Sequence, residues 1–215
     1  MILLNRRRAL LSLGESITPN LPSDYQQVEY IEGTTGQFIA TGVKIGTLSS
    51  PEVEVTMKST GKYQGADVYA LNGIYLGMPN IFQVGLALTS ETTCRVTMNI
   101  GSGAIGVTDL DSSKFYTLYA KNGSQRVNGV EIGKANYAYN ESDNVFYLFG
   151  RRDGNIIQSY NMQISKCKIL DNGNLIRDYI PCYRKSDNVI GLYDLVENRF
   201  YTNQGTGIFV VGGDV

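Results

Sequence analysis

Apolar residues recur at every second position of this chain, in short runs closed by glycine turns, and this alternation limits the available folds more than any other feature. In residues 51–58, Val53, Val55 and Met57 fall on one side, and Glu52, Glu54, Thr56 and Lys58 on the other. A period of two marks a strand with one buried face. Cys94, Val96, Met98 and Ile100 repeat the pattern, and residues 114–121 alternate with aromatics on both sides. Residues 144–150, NVFYLFG, are apolar on both faces, which suits a strand covered on both sides. Tyr160, Met162 and Ile164 alternate, and then the phase slips, because Cys167 and Ile169 are the next apolar residues. One extra residue near Lys166, a β-bulge, reconciles the two halves.

The turns agree with this reading. Asn122-Gly123, Asn128-Gly129 and Asn172-Gly173 separate strand-like runs, and Asn-Gly favours the tight turns of hairpins. Residues 121–133 read as a short strand between two such turns. Residues 168–170 and 174–179 form a hairpin about Asp171-Asn172-Gly173, and residues 191–194 and 199–201 form another about Val196-Glu197-Asn198. The 24 glycines supply turns, and the 15 Tyr and 7 Phe suit pleated, half-buried surfaces. Across 215 residues this predicts one all-β, antiparallel sandwich or barrel over residues 21–215, with residues 1–20 as a separate N-terminal extension.

Several chemistries are removed by composition. The chain has no histidine, so Ser-His-Asp and Cys-His nucleophile schemes and histidine metal ligands are excluded. A net charge of −1 argues against a general nucleic-acid binder or membrane-surface protein. Cys94, Cys167 and Cys182 are odd in number and lack metal-ligand spacing, and Cys94 and Cys167 read as small buried apolar residues. No run reaches the roughly 18 apolar residues of a membrane span. The N-terminus is a poor signal peptide, because Arg6, Arg7 and Arg8 interrupt its apolar residues. Ile2, Leu3, Leu4, Leu10 and Leu11 around these arginines read as a docking peptide that fills a groove on a partner while the arginines meet acidic groups.

Two segments carry a resemblance. LPSDYQQVEYIEGTTGQFIATGV (21–43) and CKILDNGNLIRDYIPCYRKSDNVIGLYDLVENRFYTNQGTG (167–207) resemble the ends of a concanavalin A-like, laminin-G-like jelly-roll module found in bacteriophage virion and gut-bacterial surface proteins. Ala40 stands where that module commonly has Asp or Asn, and Asn188 where it has Gly, a substitution a left-handed turn accepts. The resemblance implies an antiparallel jelly-roll sandwich. The residues themselves read mainly as scaffold: Gln37 to Ala40 as a strand feeding a turn at Thr41-Gly42, Pro181 as a strand end or edge, and Gly191, Asp194, Asn203, Gly205 and Gly207 as turn formers. The first and last segments are expected to pair as neighbouring strands.

No catalytic constellation stands out. Glycosidases need a pair of carboxylates across a cleft. Glu52 and Glu54 share one strand face and read as a solvated outer surface. No metal site is assigned; calcium is the one ion considered, at Asp109 with Asp111 or at Asp153 with Asn155, where short loop residues equally serve as turn formers. Arg151, Arg152, Asp153 and Asn155 form a loop candidate for contact with a sugar or a partner subunit, and residues 101–106 read as a flexible glycine-rich loop without the lysine of a phosphate loop. Together with the resemblance, this implies a non-enzymatic, homo-oligomeric virion protein: a head fibre, capsid decoration or tail component. It would be anchored to other virion proteins by its N-terminal tail and contact host glycans, with neither nucleic acid nor membrane as partner. The alternatives are a carbohydrate-binding module of a bacterial surface protein and, third, a glycan hydrolase.

Overall fold

The computed structural model describes residues 20–61, 72–74, 82–100, 103–135, 145–153, 156–159 and 161–215. The docking residues Leu3, Leu4, Arg6, Arg7, Arg8, Leu10 and Leu11, together with Tyr160 and Asn155, lie outside them. In chain order the strands are β1 (Tyr25–Gln27), β2 (Ile31–Gly33), β3 (Ile39–Lys44), β4 (Pro51–Ser59), β5 (Asn72–Ile74), β6 (Phe82–Leu88) and β7 (Thr93–Ile100). Then follow β8 (Gly103–Asp111), β9 (Tyr116–Lys121), β10 (Ser124–Val127), β11 (Val130–Gly133), β12 (Val145–Leu148) and β13 (Gly150–Asp153). The last are β14 (Ile156–Ser159), β15 (Met162–Asp171), β16 (Asn174–Arg184), β17 (Val189–Asp194), β18 (Arg199–Thr202) and β19 (Val210–Val211).

Each of these strands pairs antiparallel, as the alternation predicts, and they make an all-β sandwich of the jelly-roll class. The large sheet runs β11-β10-β9-β4-β15-β16-β17-β18, with β1 added to β16, β2 to β15 and β19 to β2. The other layer contains β5-β6-β7-β8, the β3–β12 pair and the β13–β14 hairpin. Val53, Val55 and Met57 of β4 and Leu118 of β9 join Phe82, Leu86, Val96 and Met98 of the smaller sheet in one core. Burying each such side chain contributes about 1.5–3 kcal/mol, which is why one face of every strand is apolar.

The local expectations can be located one by one. Ile164 faces Met57 and Lys166 faces Thr56 across β15–β4, so Ser165 is the extra residue of the expected bulge. Asn128 and Gly129 have φ of 49° and 81°, and Asn172 and Gly173 have 50° and 79°, the left-handed pairs of tight hairpin turns. At Asn122-Gly123 only the glycine is left-handed. Asn188 takes φ 56°, the conformation a glycine would hold there. The chain ends meet as expected: β1 lies on β16, β19 on β2, and Val28 bridges to Asp214.

Four expectations change. Thr41-Gly42 is a bulge inside β3: Gly42 has φ 74°, and the Thr41 hydroxyl donates to the Phe146 carbonyl (2.9 Å) and accepts from Val43 N–H (3.2 Å). Part of the glycine-rich run is strand, since Gly103 to Gly106 lie in β8; a Cβ on Gly106 would sit 2.7 Å from the Val96 carbonyl oxygen, so a close backbone approach requires the glycine. Within the run NVFYLFG, Phe146 to Phe149 are buried as expected, but the strand breaks at Phe149, whose φ of 63° ends β12 and turns its ring against Phe209 (centroids 4.8 Å apart). Gly33 makes room for that ring, because a Cβ there would lie 2.6 Å from it.

Pro181 is the fourth. It sits inside the eleven-residue β16, opposite Leu192 of β17. Its carbonyl accepts from Val28 N–H (3.0 Å), so its ring nitrogen faces the same side, where β16 passes from β15 to β1. The missing N–H therefore falls at a change of partner and costs no ladder bond.

Candidate binding site on the outer sheet face

The two motif segments that carried the resemblance clasp each other. Asn203 Oδ1 accepts from Phe38 N–H (3.2 Å) and Gly205 N–H (2.8 Å), while its Nδ2 donates to the carbonyls of Thr206 (3.2 Å) and Gly207 (2.9 Å). Gln37, 3% exposed, donates to the Thr206 carbonyl (3.0 Å), and Thr206 N–H donates to the Gly36 carbonyl (2.8 Å). Asp194 is fully buried; its Oδ1 accepts from Asp178 N–H (2.9 Å) and Val196 N–H (3.0 Å), and its Oδ2 lies 3.4 Å from Arg177 Nε. Burial raises its pKa. Arg177 Nη2 also meets Glu197, which accepts from the Tyr201 hydroxyl. These polar residues are committed to the scaffold.

The outer face of the large sheet is different. The register places Glu131, Arg126, Tyr119, Glu54, Lys168 and Asp178 side by side across β11, β10, β9, β4, β15 and β16. Charge alternates along this row, so each ion has an opposite or aromatic neighbour: Arg126 lies over the Tyr119 ring (5.4 Å to the centroid), and Lys168 pairs with Asp178 (3.6 Å). Glu52, expected on a solvated face, is 7% exposed. It accepts from the Tyr119 hydroxyl (2.6 Å) and from Gly173 N–H (3.0 Å), because the β15–β16 turn folds back over it. Burial, and then the Glu52 carboxylate, push the Tyr119 pKa upward. A carboxylate held this way is a structural acceptor.

Beyond Asp178 the sheet forks. On the same side of β15, residues 162–164 pair with β2 and residues 167–171 with β16. On β16, pairing passes from β15 to β1 after Tyr179. The Ser165 bulge and Pro181 lie at the crotch, and a cleft of about 300 Å³ opens there. Its lining side chains on the outer face are Gln27, Ser165, Lys166, Lys168, Asp178 and Ile180. The Ser165 hydroxyl donates to the Thr56 carbonyl (3.4 Å) and Lys168 is paired with Asp178, whereas the described structure engages neither the Gln27 amide nor the Lys166 ammonium. Next to the cleft, Tyr25 stacks at an angle on Tyr193 (4.8 Å) and Phe200 (4.9 Å), with Leu21 packed on the same cluster. Gly191 beneath admits the Phe200 ring, which a Cβ would meet at 2.9 Å.

The site residues named from sequence fall elsewhere. Arg151, Arg152 and Asp153 are in β13, paired with Gln158, Ile157 and Ile156, so their backbone is strand and not loop. Asp111 Oδ1 accepts from Ser113 N–H (3.0 Å) and hydroxyl (2.6 Å), and its Oδ2 lies 3.4 Å from Lys114 Nζ; these bonds lower its pKa. Asp109 accepts from the Thr108 hydroxyl (3.0 Å). Among the described residues no group of three or more Asp, Glu, Cys or His is arranged to hold a metal ion. All three cysteines are free and buried, and burial raises their pKa, to about 11 for Cys94 and about 12 for Cys182. The cleft was missed because Gln27 of β1, from the far end of the chain, completes it beside the β15–β16 hairpin. The one local signal was the phase slip at Lys166, since bulges gather beside functional sites.

No family model matches the chain. No curated protein matches it. Among solved structures it is similar to domains LG4-5 of the mouse laminin alpha1 chain, with 16% identity and a TM-score of 0.36 over 78% of this chain. The chain spans about half the length of that laminin fragment, 48%. Likeness at that level says nothing about activity, ligand or partner.

Proposed function

We propose that the chain is a non-catalytic binding module, a jelly-roll sandwich that meets host-surface glycans through the fork in its outer sheet. The observation that supports this best is the cleft itself: an opening in an otherwise continuous sheet, lined by amide, hydroxyl, ammonium and carboxylate groups beside an aromatic cluster. Saccharide sites combine these two elements, hydrogen-bonding groups for hydroxyls and apolar surface for C–H faces. The best-placed buried carboxylates, Glu52 and Asp194, are held by scaffold donors, which favours binding over hydrolysis.

The wider setting we propose is a bacteriophage particle, with residues 1–20 docking the module onto other virion proteins and several copies displayed together. Leu21 packs on the aromatic cluster of the outer face, so the tail joins the sandwich there. Two experiments test the reading. The full-length chain on a glycan array should bind a restricted set of glycans, and a blank array would refute the binding module. Chains lacking residues 1–20 should fail to enter particles, and normal incorporation would refute the docking tail. A carbohydrate-binding module of a bacterial surface protein would keep the first result and lose the second.

A further inference from the structure

We infer that the fork cleft takes a sparsely charged saccharide, one carboxylate flanked by hydroxyls, with the carboxylate at Lys166 and Gln27. This deepens, and depends on, the reading of the chain as a glycan-binding module. The charges around the cleft are unevenly used. Lys168 is bracketed, by Asp178 on β16 at 3.6 Å and by Glu54 on the β4 side of the same row. Lys166 faces Thr56 on β4 and is exposed, with no acid beside it in the register. Its three N–H donors and the two of the half-buried Gln27 amide are the groups left to a ligand. An ammonium and an amide together suit an anionic acceptor, and charge-assisted hydrogen bonds are the stronger kind.

The rest of the cleft argues against a polyanion. Asp178 lies at its wall, 18% exposed, and Glu54 lies one strand beyond, so a second negative group on the ligand would meet like charge. Asp178 and Ser165 can instead accept from hydroxyls, and Ile180 offers apolar surface to a ring's C–H face. An acid at one end and hydroxyls at the other describe a uronic or sialic acid residue within a mostly neutral glycan, and fit a Glu-rich peptide or a heavily sulfated chain less well.

The test titrates the full-length chain with oligosaccharides that each carry one uronic or sialic acid. The same oligosaccharides with the carboxyl reduced to an alcohol, a heparin fragment and a Glu-rich peptide serve as comparisons. One or more acid forms should bind about tenfold tighter than their reduced forms, and Lys166→Ala and Gln27→Ala should each weaken that binding by about five- to tenfold. Lys114→Ala, whose ammonium pairs with Asp111 on a different strand, should leave it unchanged. Equal binding of acid and reduced forms, or binding indifferent to Lys166, overturns the carboxylate assignment and leaves the glycan-binding reading standing. Preference for heparin or for the peptide overturns the ligand class. If no probe binds and the glycan array is blank as well, both readings fall.

Discussion

Asp194 combines two kinds of interaction that pull in opposite directions. Its carboxylate is fully buried, closes the β17–β18 turn through Val196 N–H, ties that turn to β16 through Asp178 N–H, and lies beside Arg177. Removing it leaves two backbone donors and a half-buried guanidinium short of an acceptor, so Asp194→Ala should cost about 3 kcal/mol in chemical denaturation. Burial nevertheless raises its pKa above the ordinary 3.8, so the folded state favours the protonated acid. The stability this contributes is complete below that ordinary value and is lost as pH rises through the folded-state value. Asp194→Asn cannot titrate. The unfolding free energy of the parent minus that of Asp194→Asn should therefore fall as pH rises through that window. Asp111 and Asp187, whose pKa values are lowered, act in the opposite sense, losing stability as pH falls, but they are common to both proteins and cancel in the difference.

Single residues set the geometry of whole elements. The Asn172-Gly173 turn fixes the β15–β16 register, and Gly173 also donates to Glu52. A Cβ at Gly173 would meet nothing within 4 Å, so the cost of Gly173→Ala is conformational, from φ 79°. It should be about 1–2 kcal/mol, read as a lower denaturation midpoint. Ser165 matters in another way. It lets Met162 and Ile164 face the core on one side of the bulge while Cys167 and Ile169 face it on the other. Deleting Ser165 shifts one half of β15 by a single residue, and a one-residue slip turns every side chain in that half to the opposite face. Such a variant should lose cooperative thermal unfolding. Retention of a sharp transition with the parent's midpoint would mean that the bulge is dispensable.

For the whole molecule, the seam between the chain's two ends decides integrity. β19 covers the outer edge of β2, Val28 bridges to Asp214, and Val215 N–H reaches the Gln27 carbonyl at 3.1 Å. The same strands form one arm of the fork, so the cleft depends on the seam. Removing residues 210–215 strips these bonds from β1 and β2. The loss should be about 2–3 kcal/mol, which for a chain of this size lowers Tm by roughly 5–10 °C. Glycan binding at the fork should weaken with it, whereas Lys166→Ala should weaken binding without moving Tm. Circular dichroism melts beside the titration separate the two.

The sequence by itself determined the strands that alternate cleanly, the tight turns at Asn128-Gly129 and Asn172-Gly173, the left-handed Asn188, the bulge near Lys166 and the meeting of the two ends. These depend on the two-residue period, on local backbone preference and on motif residues, all readable along one stretch of chain. Only the tertiary structure decided that Pro181 lies inside a central strand, that Gly42 and Gly106 belong to strands and that Glu52 is buried. Each of these follows from what an adjacent strand brings to the position: a change of partner, a carbonyl at close range, a turn folding over a carboxylate. The fork cleft belongs to the same class. Gln27 comes beside Lys166 and Asp178 only when β16 exchanges β15 for β1, and nothing in the spacing of those residues along the chain encodes that exchange.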